Sequence, residues 1–182
     1  MIMKRENGFT LIELLVAMTV IVVLLAAGVP SFKEFVKNNR VSGESGKLII
    51  AIQVARSEAL KRGSGTVICA STDQLTCSGS NDWAAGWISF SDLDQDGVLD
   101  GSGTCTSEND HLTKECIMRV KTALNKVTLT GAANHVQFRP DGLASNAPVV
   151  FTLKAVNCEH RQQRSITVSR QGHISSAELA CS

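Results

Sequence analysis

The chain opens on an apolar run, Phe9 to Val29, that is interrupted by one charge, Glu13. As an α-helix these residues span about 31 Å, close to the roughly 30 Å thickness of a hydrocarbon core. Lys4 and Arg5 precede the run, so the positive-inside tendency leaves the short N-terminus in the cytoplasm and places everything after Pro30 on the far side. An ordinary signal peptide cut near Ala26 or Gly28 is the alternative, and the acid within the run counts against it. The helical pattern also continues past Pro30. Phe32, Phe35, Val36, Leu48, Ile49, Ile52, Ala55, Ala59 and Leu60 recur at three- and four-residue steps, with Lys33, Glu34, Lys37, Lys47, Arg56, Glu58 and Lys61 on the other side. This predicts one helix of about fifty residues, weakened or bent by Gly28, Pro30, Gly43 and Gly46, and stopped at Arg62-Gly63. From Gly65 the period falls to two. Strands are expected at Thr66–Ala70, Trp87–Phe90, Cys116–Lys121, Val127–Thr130, His135–Arg139, Val149–Lys154 and Ser165–Arg170, separated by Gly, Asn, Asp and Pro turns. The class is α+β: a long N-terminal helix, one half apolar and membrane-spanning, the other amphipathic and packed on antiparallel sheets. The segments are 9–29, 30–63 and a β-rich globular domain over 64–182.

Composition adds exclusions. A formal net charge of +1 provides no global basic field for nucleic acid, and an aromatic share of 4% without Tyr argues against a base-stacking platform. Charge is nevertheless uneven. Asp92 to Glu115 holds seven acids against Lys114 alone, and Lys154 to His173 holds four bases against Glu159, a pattern that reads as an acidic loop and a basic edge at the surface. Cys69, Cys77, Cys105, Cys116, Cys158 and Cys181 all follow the apolar run, and an even count behind an export-like start points to disulfides. Of the 15 possible connectivities, sequential pairing is favoured: Cys69–Cys77 and Cys105–Cys116 would close short loops, and Cys158–Cys181 would tie down the C-terminus. No C-x-x-C pair is present and the spacings fit no zinc module.

The stretch GFTLIELLVAMTVIVVLLAAGVP behind a charged leader resembles the class III signal of type IV prepilins and type II secretion pseudopilins. AIQVARSEALKRGSGTVIC, DWAAGWISFSD and VQFRPDGLAS resemble the GspH/FimT branch of minor pilins and pseudopilins. The resemblance implies removal of a leader, residues 1–8, by prepilin peptidase after Gly8, N-methylation of Phe9, and a hallmark glutamate at Glu13. It implies a pilin-like fold, the other pilins or pseudopilins of the same filament as partners, and a single-pass inner-membrane protein with a periplasmic domain that later enters a pilus or pseudopilus. The expected function is that of a minor pilin helping to initiate or cap a type IV pilus. The alternatives are a GspH-type minor pseudopilin of type II secretion and a DNA-binding minor pilin of transformation.

Candidate chemistry is sparse. Cleavage would create an α-ammonium at Phe9, and Glu13 of a neighbouring subunit could meet it, a device that sets register; Glu13 and Pro30 are the candidate assembly residues. DLDQDGVLD, with Asp92, Asp94, Asp96 and Asp100, reads as the opening of a calcium loop. Its twelfth position is Gly103 in place of a bidentate acid, so a plain acidic turn is the favoured reading and no cofactor other than calcium is considered. DNA-uptake members of the branch carry Gly-Arg-x-Arg near the C-terminus, where this chain has Gly172-His173-Ile174-Ser175. Arg161, Arg164 and Arg170 are the substitute candidates, and DNA is a disfavoured partner. Cys158-Glu159-His160 sets no nucleophile beside a base, and His111, His135 and His173 show no ligand spacing, so the chain reads as a non-enzyme. Trp83 and Trp87 read as core or sheet-face residues, with Gly86 marking a bulge or a tight approach.

Overall fold

A computed structural model describes residues 10–101, 103–107, 110, 113–159 and 161–181, with the side chains of Ala27 and Pro30 left out. The described residues form one helix, α1 (Leu11–Arg62), followed by eight strands: β1 (Gly65–Ala70), β2 (Trp87–Asp92), β3 (Ile117–Lys121), β4 (Val127–Gly131), β5 (His135–Phe138), β6 (Val149–Ala155), β7 (Gln163–Val168) and β8 (Ile174–Leu179). Two antiparallel sheets result, one in the order β3-β2-β1-β5 and the other β4-β6-β7-β8. The chain divides into two compact units, residues 1–37 and 38–182.

In the first unit α1 has no buried stripe: Phe32, Phe35 and Val36, expected on a packed face, are exposed. In the second unit the stripe is Val41, Ser45, Leu48, Ile52, Ala55 and Ala59, at alternating four- and three-residue steps, all buried. Leu60 falls off this line and is half exposed. Gly43 and Gly46, like Gly28 upstream, do not interrupt the helix. The C-terminus is set by Gly63, whose positive φ of 64° suits glycine and whose N–H donates to the Ala59 carbonyl at 3.0 Å.

The helix stripe packs into one core with Ile68 and Ala70 of β1, Val136 and Phe138 of β5, Leu129 of β4, Phe151 and Leu153 of β6, and Ile166 and Val168 of β7. In the second sheet the residues alternate inward and outward, most clearly on β6, where Val149, Phe151, Leu153 and Ala155 are buried. Trp83 is wholly buried, meets Phe151 edge to face at 4.8 Å between ring centroids, and donates its indole N–H to the Ala133 carbonyl at 3.0 Å. Trp87 also lies in this core. Gly86 has φ 119° and sits where a Cβ would strike the Lys121 carbonyl, the tight approach expected of it.

β1 and β2 depart from the expected half-buried pattern, because both are buried along their entire length. Their outer face carries a second cluster, Val67, Cys69, Ile88, Phe90 and Ile117, covered by Cys77 and Leu99. Cys77 and Leu99 come from the β1–β2 and β2–β3 loops; disulfide Cys69–Cys77 ties the first loop to β1, and Cys105–Cys116 closes the second on itself beside the start of β3. Cys158–Cys181 joins the β6–β7 loop to the C-terminal end, so all three pairings are sequential. Asp73 and Asp110 organise the same two loops. Asp73 accepts from the N–H groups of Leu75 and Thr76 at 2.9 and 2.8 Å and from the Thr76 hydroxyl at 2.8 Å. Asp110 accepts from the N–H and hydroxyl of Thr106 at 2.7 and 2.8 Å and from the Ser107 hydroxyl at 2.7 Å. For Asp73 the backbone donors, and for Asp110 first the Ser107 hydroxyl, hold the carboxyl well below the usual carboxylate range.

β8 was not among the expected strands, and Ser165–Arg170 is corrected to Gln163–Val168, which leaves Arg170 in the turn beyond β7. β8 pairs on one side only and is mostly exposed, so its sequence, ISSAEL, carries no alternation to read. Arg56, expected on the solvent side of the helix, instead donates from Nε to the Gly142 carbonyl and from Nη2 to the Gln171 carbonyl, both at 3.0 Å. One guanidinium thereby fastens the helix to the β5–β6 and β7–β8 turns. Arg56→Ala leaves two turn carbonyls without that donor and should cost about 1–3 kcal/mol, read as a lower urea midpoint with the disulfides intact.

The two loop carboxylates have folded-state values below their unfolded ones, so the stability they contribute is complete above the unfolded value of about 3.9 and is lost as pH falls below it. The melting temperature should therefore drop on acidification from about pH 5 to about pH 2, and an Asp73→Asn/Asp110→Asn double variant should show a flatter drop. An unchanged pH profile in that variant would remove both loops from the account.

Candidate functional site

The helix start is the first candidate region. Thr10 stands immediately before α1, and both its backbone N–H and its hydroxyl donate to Glu13 Oε2 at 3.0 Å. The Glu13 N–H donates back to Thr10 Oγ1 at 3.3 Å, completing a reciprocal capping box in which the acid occupies the third helical position. Thr10 is missing from the sequence-based candidates, although Thr-x-x-Glu ahead of an apolar run is a legible signal for it. The same placement puts the carboxylate at the positive end of the helix dipole. Gly8 and Phe9 lie outside the described residues, as does the side chain of Pro30, whose backbone is within α1. From Leu11 to Leu25 every large apolar side chain exposes more than half of its surface. Among the described residues this is the one helix long and apolar enough to cross a membrane.

The second region is the loop between β2 and β3. Asp92, Asp94 and Asp96 each bring a carboxylate oxygen to within 4.8 Å of the other two. Asp100 is not part of the group: its backbone N–H donates to Glu115 Oε2 at 2.9 Å, while Glu115 Oε1 accepts from the Leu93 N–H at 2.9 Å. Glu115 is itself buried and clamps the two ends of the acidic turn together. Asp92 is fully buried; its Oδ2 accepts from Gln137 Nε2 at 2.9 Å and from the Gly97 N–H at 3.3 Å. Burial pushes the carboxyls of Asp92 and Glu115 above the ordinary carboxylate value. His135 lies beside this group, and its own burial draws the imidazole below its usual value, the charge of Asp92 opposing the shift. A cleft of about 370 Å³ opens between this loop and the β1–β2 loop, lined by Thr76, Asp96, Gly97, Asn134 and His135 among others.

The third region holds the arginines. Arg161 precedes β7, Arg164 lies within it and Arg170 follows it, so the outer two are separated by the strand's length, about 20 Å. Arg164 is committed within the fold: its Nη2 donates to Ser42 Oγ of the helix at 2.8 Å and approaches Glu178 Oε1 at 4.0 Å. The three are spread along and beyond one strand and do not form a single paired-guanidinium patch, the arrangement already expected to disfavour DNA.

Comparison with known proteins bears on the whole chain. The crystal structures of the type IV minor pilin FimU of Pseudomonas aeruginosa PAO1 share its fold. The P21 form has a TM-score of 0.55 at 18% identity and covers 81% of this chain and 96% of that one; the P65 form has 0.53 at 21%, covering 77% and 96%. The minor pseudopilin EpsH of the Vibrio cholerae type 2 secretion system aligns with a TM-score of 0.47 at 13% identity, over 78% of this chain and 97% of that one. No curated protein is a sequence match. The family model of the prokaryotic N-terminal methylation motif matches residues 3–29, the segment that contains Gly8, Phe9 and Glu13. The model described as type II transport protein GspH matches residues 44–172, from the packed half of α1 to the turn before β8. That span is well over half of the sequence, and the chain belongs to the GspH family.

Proposed function

We propose that the protein is a minor pilin, a structural subunit that joins a type IV pilus and helps to initiate or cap its assembly. The observation that carries this reading is the apolar half of α1, exposed on every side in the single chain and headed by a charge held at its first turn. Such a helix needs a surrounding of lipid or of other apolar helices, and it finds the first before assembly and the second within a filament. On this reading prepilin peptidase cuts after Gly8, Phe9 becomes the methylated N-terminus, and the domain beyond Lys37 sits in the periplasm while the helix crosses the inner membrane. The α-ammonium of Phe9 from one subunit then meets Glu13 of its neighbour, which lowers the burial cost of both and fixes their axial register. The capping box favours this arrangement, because Thr10 orders the carboxylate through Oε2 while Oε1 takes no part in those bonds. The GspH family description supports a second reading, a minor pseudopilin of type II secretion, which uses the same helix chemistry in another machine.

Intact mass of the membrane-extracted protein should show loss of Met1–Gly8 and gain of one methyl group; cleavage near Gly28 instead would return the chain to the ordinary secreted class. Glu13→Gln keeps an acceptor for Thr10 and removes the charge, whereas Glu13→Leu removes both. Both variants should insert in the membrane and both should fall at least about tenfold in co-purification with partner pilins, a loss equivalent to roughly 1.4 kcal/mol. Normal incorporation of Glu13→Gln alongside failure of Glu13→Leu would assign Glu13 to helix capping and end the ion-pair account. Deleting the gene separates the two machines, since loss of surface pili marks one and retention of secreted proteins inside the cell marks the other.

A further inference from the structure

We infer that Asp92, Asp94 and Asp96 form a calcium site in the β2–β3 loop. A cluster of acids alone would be a solvated turn, and the feature that separates this one is Asp92. Its side chain is fully buried at the end of β2, and although Oδ2 receives two donors, Oδ1 has no hydrogen-bond partner. A buried carboxylate oxygen left without a donor is destabilising, and the ligand oxygens of Asp94 and Asp96 lie within 4.8 Å of that same carboxylate. Two oxygens on opposite sides of a calcium ion are about 4.8 Å apart, twice the usual 2.4 Å bond, so a mutual spread of no more than 4.8 Å brings all three carboxylates within reach of one ion.

Among the described residues no cation pairs with the three aspartates; Lys114, the one base of the acidic stretch, pairs with Asp110 at 3.4 Å. A second acid layer lies behind, since Glu115 accepts from Leu93 and Asp100 and fixes both ends of the turn. That clamp, with the Cys105–Cys116 bridge beside it, gives the loop its shape before any ion arrives. Remaining coordination comes from carbonyls and water, as calcium with its six to eight oxygen ligands accepts. Gly103 at the twelfth position means no bidentate acid closes the site, which places its affinity in the range of about 0.1–1 mM typical of extracellular modules.

The test uses the full chain in detergent micelles, titrated with CaCl2 by calorimetry and followed by thermal unfolding. Calcium at a few times that concentration should give saturable heat and raise the melting temperature, and a chelator should reverse both. The Asp94→Asn/Asp96→Asn variant changes only exposed side chains. It should bind at least about tenfold more weakly and melt without calcium no lower than the parent, because like charges have been removed. Should the double variant fail to fold, Asp96→Asn alone carries the same comparison. Asp100→Asn, outside the group, should respond as the parent does. Absence of heat and of any shift in the parent overturns the site, and so does a shift that survives in the double variant or disappears equally in Asp100→Asn.

Discussion

The contact on which the soluble domain depends is the seam along α1 from Val41 to Ala59. Its six positions step four and three residues at a time, so they stay in line for five turns and present small side chains, Ser45, Ala55 and Ala59, between the larger Leu48 and Ile52. Small residues let the helix backbone approach the sheets, and the larger ones reach the inner faces of both. Because β1, β5, β4, β6 and β7 all contribute to that one core, the two sheets share it with the helix. Arg56 and Arg164 fix the edges of the seam by hydrogen bonds, the first to two turns and the second to Ser42. Within the first unit the large apolar side chains of the same helix are exposed.

Much of this was legible in the sequence because period and punctuation agreed with the tertiary outcome. The helix end at Gly63, the seven expected strand positions and the sequential cysteine pairs follow from local signals that nothing in the packing overrode. The failures have physical causes. Phe32 and Phe35 match the helical period but belong to the first unit and are exposed, and periodicity alone does not say where burial begins. β1 and β2 looked half-buried because covering loops leave no periodic trace. β8 was missed since an exposed edge strand has no buried face to alternate with. Arg56 read as a solvated charge, because a helical position facing two turn carbonyls is indistinguishable in sequence from one facing water.

The candidate sites show the same division. Glu13 was recognised as a residue out of place, and the structure adds the Thr10 partner that shapes its local geometry. Asp92 was counted as one acid among four. Only the fold reveals that it is the last residue of a strand buried on both faces, which separates its chemistry from that of Asp94 and Asp96 two and four residues later. The arginines, expected at different strand or loop positions, fall before, within and after β7.

The covering of β1 and β2 also bears on where the protein can finish folding. Val67, Phe90 and Ile117 are shielded by irregular loops whose own apolar content is small, and two covalent cross-links remove much of the chain entropy that would otherwise peel those loops away. Thiols in a reducing compartment would leave that sheet face transiently bare, while an oxidising one would close it. Which face of that sheet is allowed to meet water is thus set by the redox state of the surroundings in which the chain folds.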